Sequence, residues 1–398
     1  MLLLCACDGV PQRVLVLDRD ADGSHSLRAV TLRTQPDLET LQSQELILRG
    51  GGQIVLDGLR FQQAAPLDEE AAQTLARANP GRAVQLRYTV VDGVAVPDDH
   101  ESLLMVSAYH ALEQVLEFLR PLDATLATRS TLEVCFHCTL DVDSGVLLPY
   151  LVSDNAAYVQ FADLLVLLPD LQLSGLPLAI DAEVLAHELS HRVFRHSVVG
   201  ETLMLDLLDA FARQDAMGPQ DWQGYNLLMA LNEGSADFLA ASFAGRSRFG
   251  DASLGALVGE ERDLEGARGA REVYDLVFEE AASRQLEVVT EDGGRHQLGT
   301  SSWNPYHLGT IWAGTLWQMA RPAPGATVDL ERVRGSLAPA LTQTLRDLKN
   351  DLGRARDFDL ARVLARFTDN VEPTWTVRIC EVLGERFPGL VDHLPECP

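Results

Sequence analysis

The chain changes its hydrophobic rhythm near residue 180. Before that point the apolar residues come in short alternating or continuous runs. These are Arg13-Val-Leu-Val-Leu17, Glu45-Leu-Ile-Leu48, Gln53-Ile-Val-Leu56 and the eight residues from Val84 to Val91. Gly50-Gly51-Gly52, Asp57-Gly58 and Asp92-Gly93 punctuate them, so the pattern predicts short strands joined by turns. A helical stretch over Leu67–Ala78 interrupts the series. From Glu101 to Leu119 the residues Leu104, Ala108, Ala111, Leu112, Val115 and Leu119 recur at helical spacing, predicting a long amphipathic helix. Leu132–Leu140 and Val146–Val152 read as strands around the turn Asp141–Gly145. Beyond residue 180 the pattern is helical, apart from a β-like interruption at Leu286–Leu298. A β-rich lead, a mixed section and then helices make an α+β chain. The expected divisions are 1–9, 10–98, 99–200 and 201–398. Residues 10–98 are expected to form a small β-rich domain, accessory or prosegment-like, or else the first part of one continuous fold.

Composition narrows the classes. The 398 residues are 46% hydrophobic, which excludes a disordered or collagen-like chain. With 32 Lys and Arg against 58 Asp and Glu, the formal net charge is −26. No basic run offsets it, so nucleic acid and anionic lipid are excluded as expected partners. No apolar stretch reaches the ~20 residues a transmembrane helix needs. The most apolar region, Phe161–Ile180, is broken by Asp163, Asp170 and two prolines. The N-terminus runs Met1-Leu-Leu-Leu-Cys-Ala-Cys7-Asp8, and Leu4-Cys5-Ala6-Cys7 resembles a bacterial lipobox. One reading is a lipid anchor at Cys7 and a place outside the cell or in its envelope. The other is a short apolar start without a targeting role. The remaining cysteines fall into two local pairs, Cys135 with Cys138 and Cys380 with Cys397. In a strand, residues three apart face opposite ways, so Cys135-Phe-His-Cys138 is a poor zinc site; a local disulfide or two free thiols is expected. Cys380 and Cys397 can staple the C-terminal tail.

The segment richest in chemistry is Val184-Leu-Ala-His187-Glu188-Leu-Ser-His191-Arg-Val-Phe194. Leu185, Leu189, Val193 and Phe194 form a buried helical stripe. His187 and His191, one turn apart, project from one face toward a single metal. Glu188 can stand beside the metal's water without ligating. A catalytic zinc wants a third protein ligand and an open position. The apolar helical segment Tyr225–Leu239 offers Glu233, with Asn232 beside it and Asp237 one turn on. Asp237 can accept the N–H of a ligating imidazole and fix its tautomer.

HELSH followed by NEGSAD resembles the gluzincin metallopeptidases, in particular the thermolysin and fungalysin families. Three further segments follow the order of those families. Asn155-Ala156-Ala157-Tyr158 resembles the edge-strand motif that binds the substrate backbone. Arg262-Asp-Leu resembles the segment whose Arg contacts the substrate carbonyl. Tyr306-His307-Leu-Gly309, leading into Trp312–Trp317, resembles the segment with the transition-state His. The Glu101–Leu119 helix is similar to the one that opens the family's catalytic domain. The resemblance covers about residues 100 to 320. It implies a thermolysin-like catalytic unit: a β-rich lobe with the HExxH helix and a mainly helical C-terminal lobe.

The resemblance further implies Zn²⁺ held by His187, His191 and Glu233, Glu188 as general base and His307 as oxyanion stabiliser. Substrate contacts would come from Asn155, Ala156, Tyr158 and Arg262, and Asp237 and Asn232 would support the ligands. The expected activity is hydrolysis of internal peptide bonds in peptide or protein substrates. The rival expectation is a weakly active or inactive zinc-stabilised peptide-binding module. An exopeptidase would need a terminal-recognition site, and the sequence offers none. The sequence also departs from the pattern. An insertion lies near Leu203–Gln220, and Ser301-Ser-Trp-Asn-Pro lacks the Asp that orients the transition-state His. Tyr225 and Tyr306 are the candidates for the family's transition-state Tyr. Calcium is a second expected ion, implied by the resemblance without assignable ligands. Asp18-Arg-Asp20-Ala-Asp22-Gly23 opens like a calcium loop, but Ala29 stands at its twelfth position, and a polar turn is the alternative. The remaining histidines, His25, His100, His110, His137, His196, His296 and His393, lack partner spacing and are not expected to ligate.

Overall fold

The computed structural model describes residues 13–20, 23–56, 76–122, 131–142, 155–170, 175–199, 203–204, 206–207, 219–254, 262–265, 286–289, 295–298, 305–352, 360–386, 394 and 397. The N-terminal lipobox, the strand expected over 146–152 and most of the helix expected over 67–78 lie outside these residues. The chain is mixed α+β, with its main sheets in the N-terminal part and helices in the C-terminal part. It divides into two compact units. The first comprises Met1–Ile54, Ala78–Asp141 and Leu147–Leu185, and the second the remainder.

In the first unit, β1 (Arg13–Arg19) forms a hairpin with β2 (His25–Val30), in register from Val14↔Val30 to Arg19↔His25. Val14 and Val16 point into the core, as the alternation predicts. With β7 (Tyr88–Val91) and β8 (Val94–Pro97) they make a four-stranded sheet of order β2-β1-β8-β7. A five-stranded sheet joins distant parts of the chain. Its order is β11 (Ala156–Val159), β12 (Leu164–Leu167), β9 (Leu132–Phe136), β3 (Leu46–Gly50) and β6 (Arg82–Ala83). The central strands β12, β9 and β3 are parallel. All four residues of β12 are buried, the continuous apolar reading of a strand covered on both faces. β10 (Thr139–Val142), β4 (Gln53–Leu56) and β5 (Ala76–Asn79) form a small third ladder. Ala76–Ala78 are therefore strand where the local pattern reads helix, because pairing with β4 overrides propensity. The eight-residue strand expected over Val84–Val91 is reduced to β7, while Val84 and Leu86 still reach the core.

The helix α1 (His100–Leu119) packs on β1, β3 and β8. Asp99 caps it by accepting the Ser102 N–H at 2.8 Å. The helix also serves the sheets: Ser107 Oγ accepts the Leu17 N–H and Ser102 Oγ that of Arg87. Glu113, 3% exposed, accepts from the Arg33 and Thr34 N–H groups and from the Thr34 hydroxyl. Cys135 and Cys138 form a disulfide. The expected strand is broken at His137, whose φ of 51° turns the chain and lets two sulfurs three residues apart meet.

In the second unit, α2 (Ala182–Ser197) contributes its residues from Ala186 onward. α3 (Pro219–Ala244) is buried on nearly every side from Leu227 to Ala241, the mark of a core helix. It packs against α4 (Pro305–Met319). The helices α5 (Ala338–Asp351), α6 (Leu360–Asn370) and α7 (Thr376–Arg386) follow. A hairpin of β13 (Leu286–Val289) and β14 (Arg295–Leu298) supplies the expected β interruption. Cys380 and Cys397 are disulfide-bonded, tying the tail to α7. Among the described residues no helix is long and apolar enough to cross a membrane.

Replacing Glu113 by Ala strips part-buried donors of Arg33 and Thr34 of their acceptor, at up to about 1–3 kcal/mol for each orphaned group. The expected outcome is a lower urea midpoint for unfolding, by an amount equivalent to about 2 kcal/mol.

Candidate metal centre

Asp181 starts α2, its side chain accepting the Glu183 N–H at 3.0 Å and its carbonyl the Leu185 N–H. Leu185, Leu189 and Val193 bury one stripe of the helix. That orientation turns His187 and His191 together toward α3. Their rings meet edge to face, with centroids 4.7 Å apart, and their Nε2 atoms are 3.1 Å apart. From α3, Glu233 Oε2 approaches His187 Nε2 at 3.5 Å and His191 Nε2 at 3.8 Å. All three side chains are buried. A tetrahedral zinc with bonds of about 2.0–2.1 Å separates its ligand atoms by about 3.3–3.4 Å. The observed edges of 3.1, 3.5 and 3.8 Å bracket that figure.

The outer ring nitrogens are also engaged. Asn232 Oδ1 lies 2.9 Å from His191 Nδ1. Asp237 Oδ1 lies 3.0 Å from His187 Nδ1, off the line of a good hydrogen bond. Acceptors at both Nδ1 atoms put the ring protons there and leave two Nε2 lone pairs facing each other. At 3.1 Å that arrangement needs a proton or a cation between them. Glu233 Oε2, buried and without a hydrogen-bond partner, faces the same point. The donor set therefore fits a divalent metal. Glu188, half-buried, has a carboxylate oxygen within 4.8 Å of the ring nitrogens, so the His-Glu-x-x-His residues form one cluster on a helix.

Charge is balanced locally. The Arg262 guanidinium lies 3.6 Å from Glu233 Oε2 and 3.5 Å from Asp237 Oδ1. Burial disfavours a charged His187, yet Asp237 and Glu233 outweigh it and raise its pKa to about 9. Burial opposes ionisation of Glu233 too, and His191, His187 and Arg262 overcome it, holding the carboxyl at about 2.

The other expected site residues fall as follows. Asn155 to Tyr158 lie at β11, an edge strand of the first unit's five-stranded sheet. There Asn155 Oδ1 accepts the Ala156 N–H, and the Tyr158 hydroxyl donates to Asp163 at 2.6 Å. His307 and Tyr306 belong to the first turn of α4, and the roles expected of their side chains lie outside the described residues. Burial raises the Tyr225 hydroxyl to about 12. Arg28 is paired with the carboxylates of Asp18 and Asp20; Asp22 lies outside the described residues.

Two features have no sequence expectation behind them. Phe249 stacks on His187, with centroids 5.5 Å apart and an interplanar angle of 14°. Beside Glu233, Gly234 meets Gly309 of α4 backbone to backbone. A Cβ on Gly234 would stand 2.3 Å from the Gly309 carbonyl oxygen. A glycine one residue from an expected ligand, with a second one downstream, is the only signal that could have suggested this crossing.

Comparison with known proteins adds no relative: no protein-family model matches the chain, and no curated protein is significantly similar to it.

Two outcomes are expected from this geometry. Gly234→Ala forces α3 and α4 apart and lowers stability by about 1–3 kcal/mol, read as a reduced melting temperature. For metal-free protein, the folded pKa of His187, about 9, lies above its ordinary 6.5. Its stabilisation is complete below pH 6.5 and is lost as pH rises through 9. Urea unfolding in chelator between pH 6 and 9.5 should show that decline, and His187→Gln should flatten it.

Proposed function

We propose that the protein is a zinc-dependent endopeptidase of the gluzincin type, with His187, His191 and Glu233 as ligands and Glu188 as general base. The observation that carries this reading is the convergence of three buried ligand atoms at spacings suited to tetrahedral zinc, with Glu188 alongside. A zinc ion held there supplies a Lewis acid that polarises the scissile carbonyl and makes water acidic enough to attack near neutral pH.

Glu188 takes a proton from the attacking water as its oxygen bonds to the carbonyl carbon. It then passes that proton to the amide nitrogen as the C–N bond breaks, leaving a carboxylic acid and an amine, which transfer of the second water proton turns into a carboxylate and an ammonium. Asn232 and Asp237 hold the imidazoles in the tautomer that presents Nε2 inward. His307 is the donor assigned to the developing oxyanion, a role worth about 10²–10³ in rate. An extended peptide adds to the outer edge of β11 through the backbone around Asn155, Ala156 and Tyr158. The Arg262 pairing with Glu233 and Asp237 supports a part in balancing their charge, beside the substrate contact implied by the resemblance. Export, a lipid anchor at Cys7, and calcium binding complete the proposal.

The test is hydrolysis of an internally quenched peptide mixture at neutral pH by wild type and Glu188→Gln, with bound zinc measured in both. The expected result is about one zinc per chain in each, and activity reduced by about 10²–10⁴ in the variant. Equal zinc with no activity in either protein would favour the peptide-binding module. Absence of zinc from the wild type would overturn the reading.

A further inference from the structure

His187 is restrained from three directions. Asp237 holds its Nδ1 side, and the His191 ring meets it edge-on. Neither contact fixes the tilt of the imidazole plane, because an off-line pairing at one nitrogen lets the ring rock about that point. The third contact is Phe249, 3% exposed, whose ring lies nearly parallel to the imidazole in the offset range that aromatic pairs favour.

Phe249 is itself held in place. It follows the end of α3, between Gly245 and Gly250, both with positive φ. Arg246 bonds to Asp251 at 2.6 Å across this turn. The turn is tied to the stretch that carries Arg262: the Leu264 N–H donates to the Ser247 carbonyl at 3.2 Å, and Arg248 Nε donates to Asp263 at 2.8 Å. The Leu264 carbonyl in turn lies against Gly314 of α4, where a Cβ would stand 3.1 Å away. One clamp therefore seats the Phe249 ring on His187 and the Arg262 guanidinium on Glu233 and Asp237.

We propose that Phe249 is a positioning residue for the metal site, a flat wall that fixes the tilt of the His187 ring and so aims its Nε2. This rests on the metal reading given above. A ring that rocks carries its Nε2 off the line to the metal, so losing the wall weakens binding and distorts coordination even when every ligand remains. Ring planarity matters here beyond volume, which separates this role from simple core filling.

The test uses the full chain stripped of metal and titrated with cobalt(II), whose visible absorption reports coordination geometry, followed by competition with zinc. Wild type is compared with Phe249→Ala, Phe249→Leu and Phe249→Tyr, with circular dichroism confirming the fold of each. Phe249→Ala is expected to bind zinc about 10-fold more weakly, the lower end for lost support of a ligand, and to alter the cobalt spectrum. Phe249→Tyr keeps a ring and should retain the wild-type spectrum and affinity. Phe249→Leu refills the volume without a plane and should resemble Ala. If Ala does not fold, the contrast between Leu and Tyr decides. A wild-type spectrum and affinity in the Ala variant would overturn the inference, as would restoration by Leu as complete as by Tyr. Normal metal binding by wild type alongside either result sinks this inference alone. A wild type that binds neither metal sinks the metal reading and this inference together.

Discussion

Two imidazole Nε2 atoms held 3.1 Å apart in a buried setting are the constraint around which the second unit is built. Facing lone pairs there repel unless a proton or a cation lies between the nitrogens. Removing that charge and its counter-charges from water is expensive unless every remaining donor and acceptor is matched. The surroundings meet part of this demand, and leave Glu233 Oε2 and both Asp237 carboxylate oxygens without a hydrogen bond. Asn232 and Asp237 take up the outer nitrogens, Glu233 brings negative charge to the inner ones, and Arg262 offsets the two carboxylates. With one imidazole protonated, that ring and Arg262 offset Glu233 and Asp237, while the less buried Glu188 keeps some contact with solvent. That explains why burial alone does not drive His187 to its uncharged form. A metal ion at the proposed site would take the place of that proton between the same polar partners.

The geometry of the cluster is inherited from the packing of α3. Glu233, Gly234 and Asp237 are nearly consecutive along one helix, so whatever fixes the height and rotation of α3 also fixes a proposed ligand and its neighbour's support. The Gly234–Gly309 contact is the point where that height is set, because bare backbones approach closer than any side chain permits. Close-packed interiors transmit such changes rather than absorb them. The site therefore depends on a feature that carries no charge and touches no ligand atom.

Much of this was legible in the sequence, and the reason is locality. The α+β order follows from a change of hydrophobic period, and α1 begins within one residue of where its spacing predicts. His187 and His191 are separated by one helical turn, so their convergence is written in four residues. Glu233 and Asp237 stood out because charges in an apolar helix need a partner. What was not legible depends on distant pairing. The register of β3 with β9 joins Leu46 to Leu132, and no local pattern encodes it. β5 became strand through its ladder with β4, against its own propensity. Phe249 sits in an Arg-Ser-Arg-Phe-Gly stretch that reads as an ordinary helix exit, and only the folded chain brings it over His187.

The donor count bears on which kind of metal site the proposed one would be. Structural zinc sites close the tetrahedron with four protein ligands, usually rich in cysteine, whereas catalytic sites keep one position for water. Here the buried donors that converge are two nitrogens and one carboxylate oxygen, and all four described cysteines outside the N-terminus are consumed in disulfides. The next carboxylate in reach belongs to Glu188, which is half-exposed where the three converging side chains are buried. A group meant to complete a closed site gains from burial alongside its partners. A group meant to exchange protons with water and substrate has to keep some contact with solvent. The difference in burial between Glu188 and its neighbours is thus the feature of the cluster that argues for chemistry over stapling.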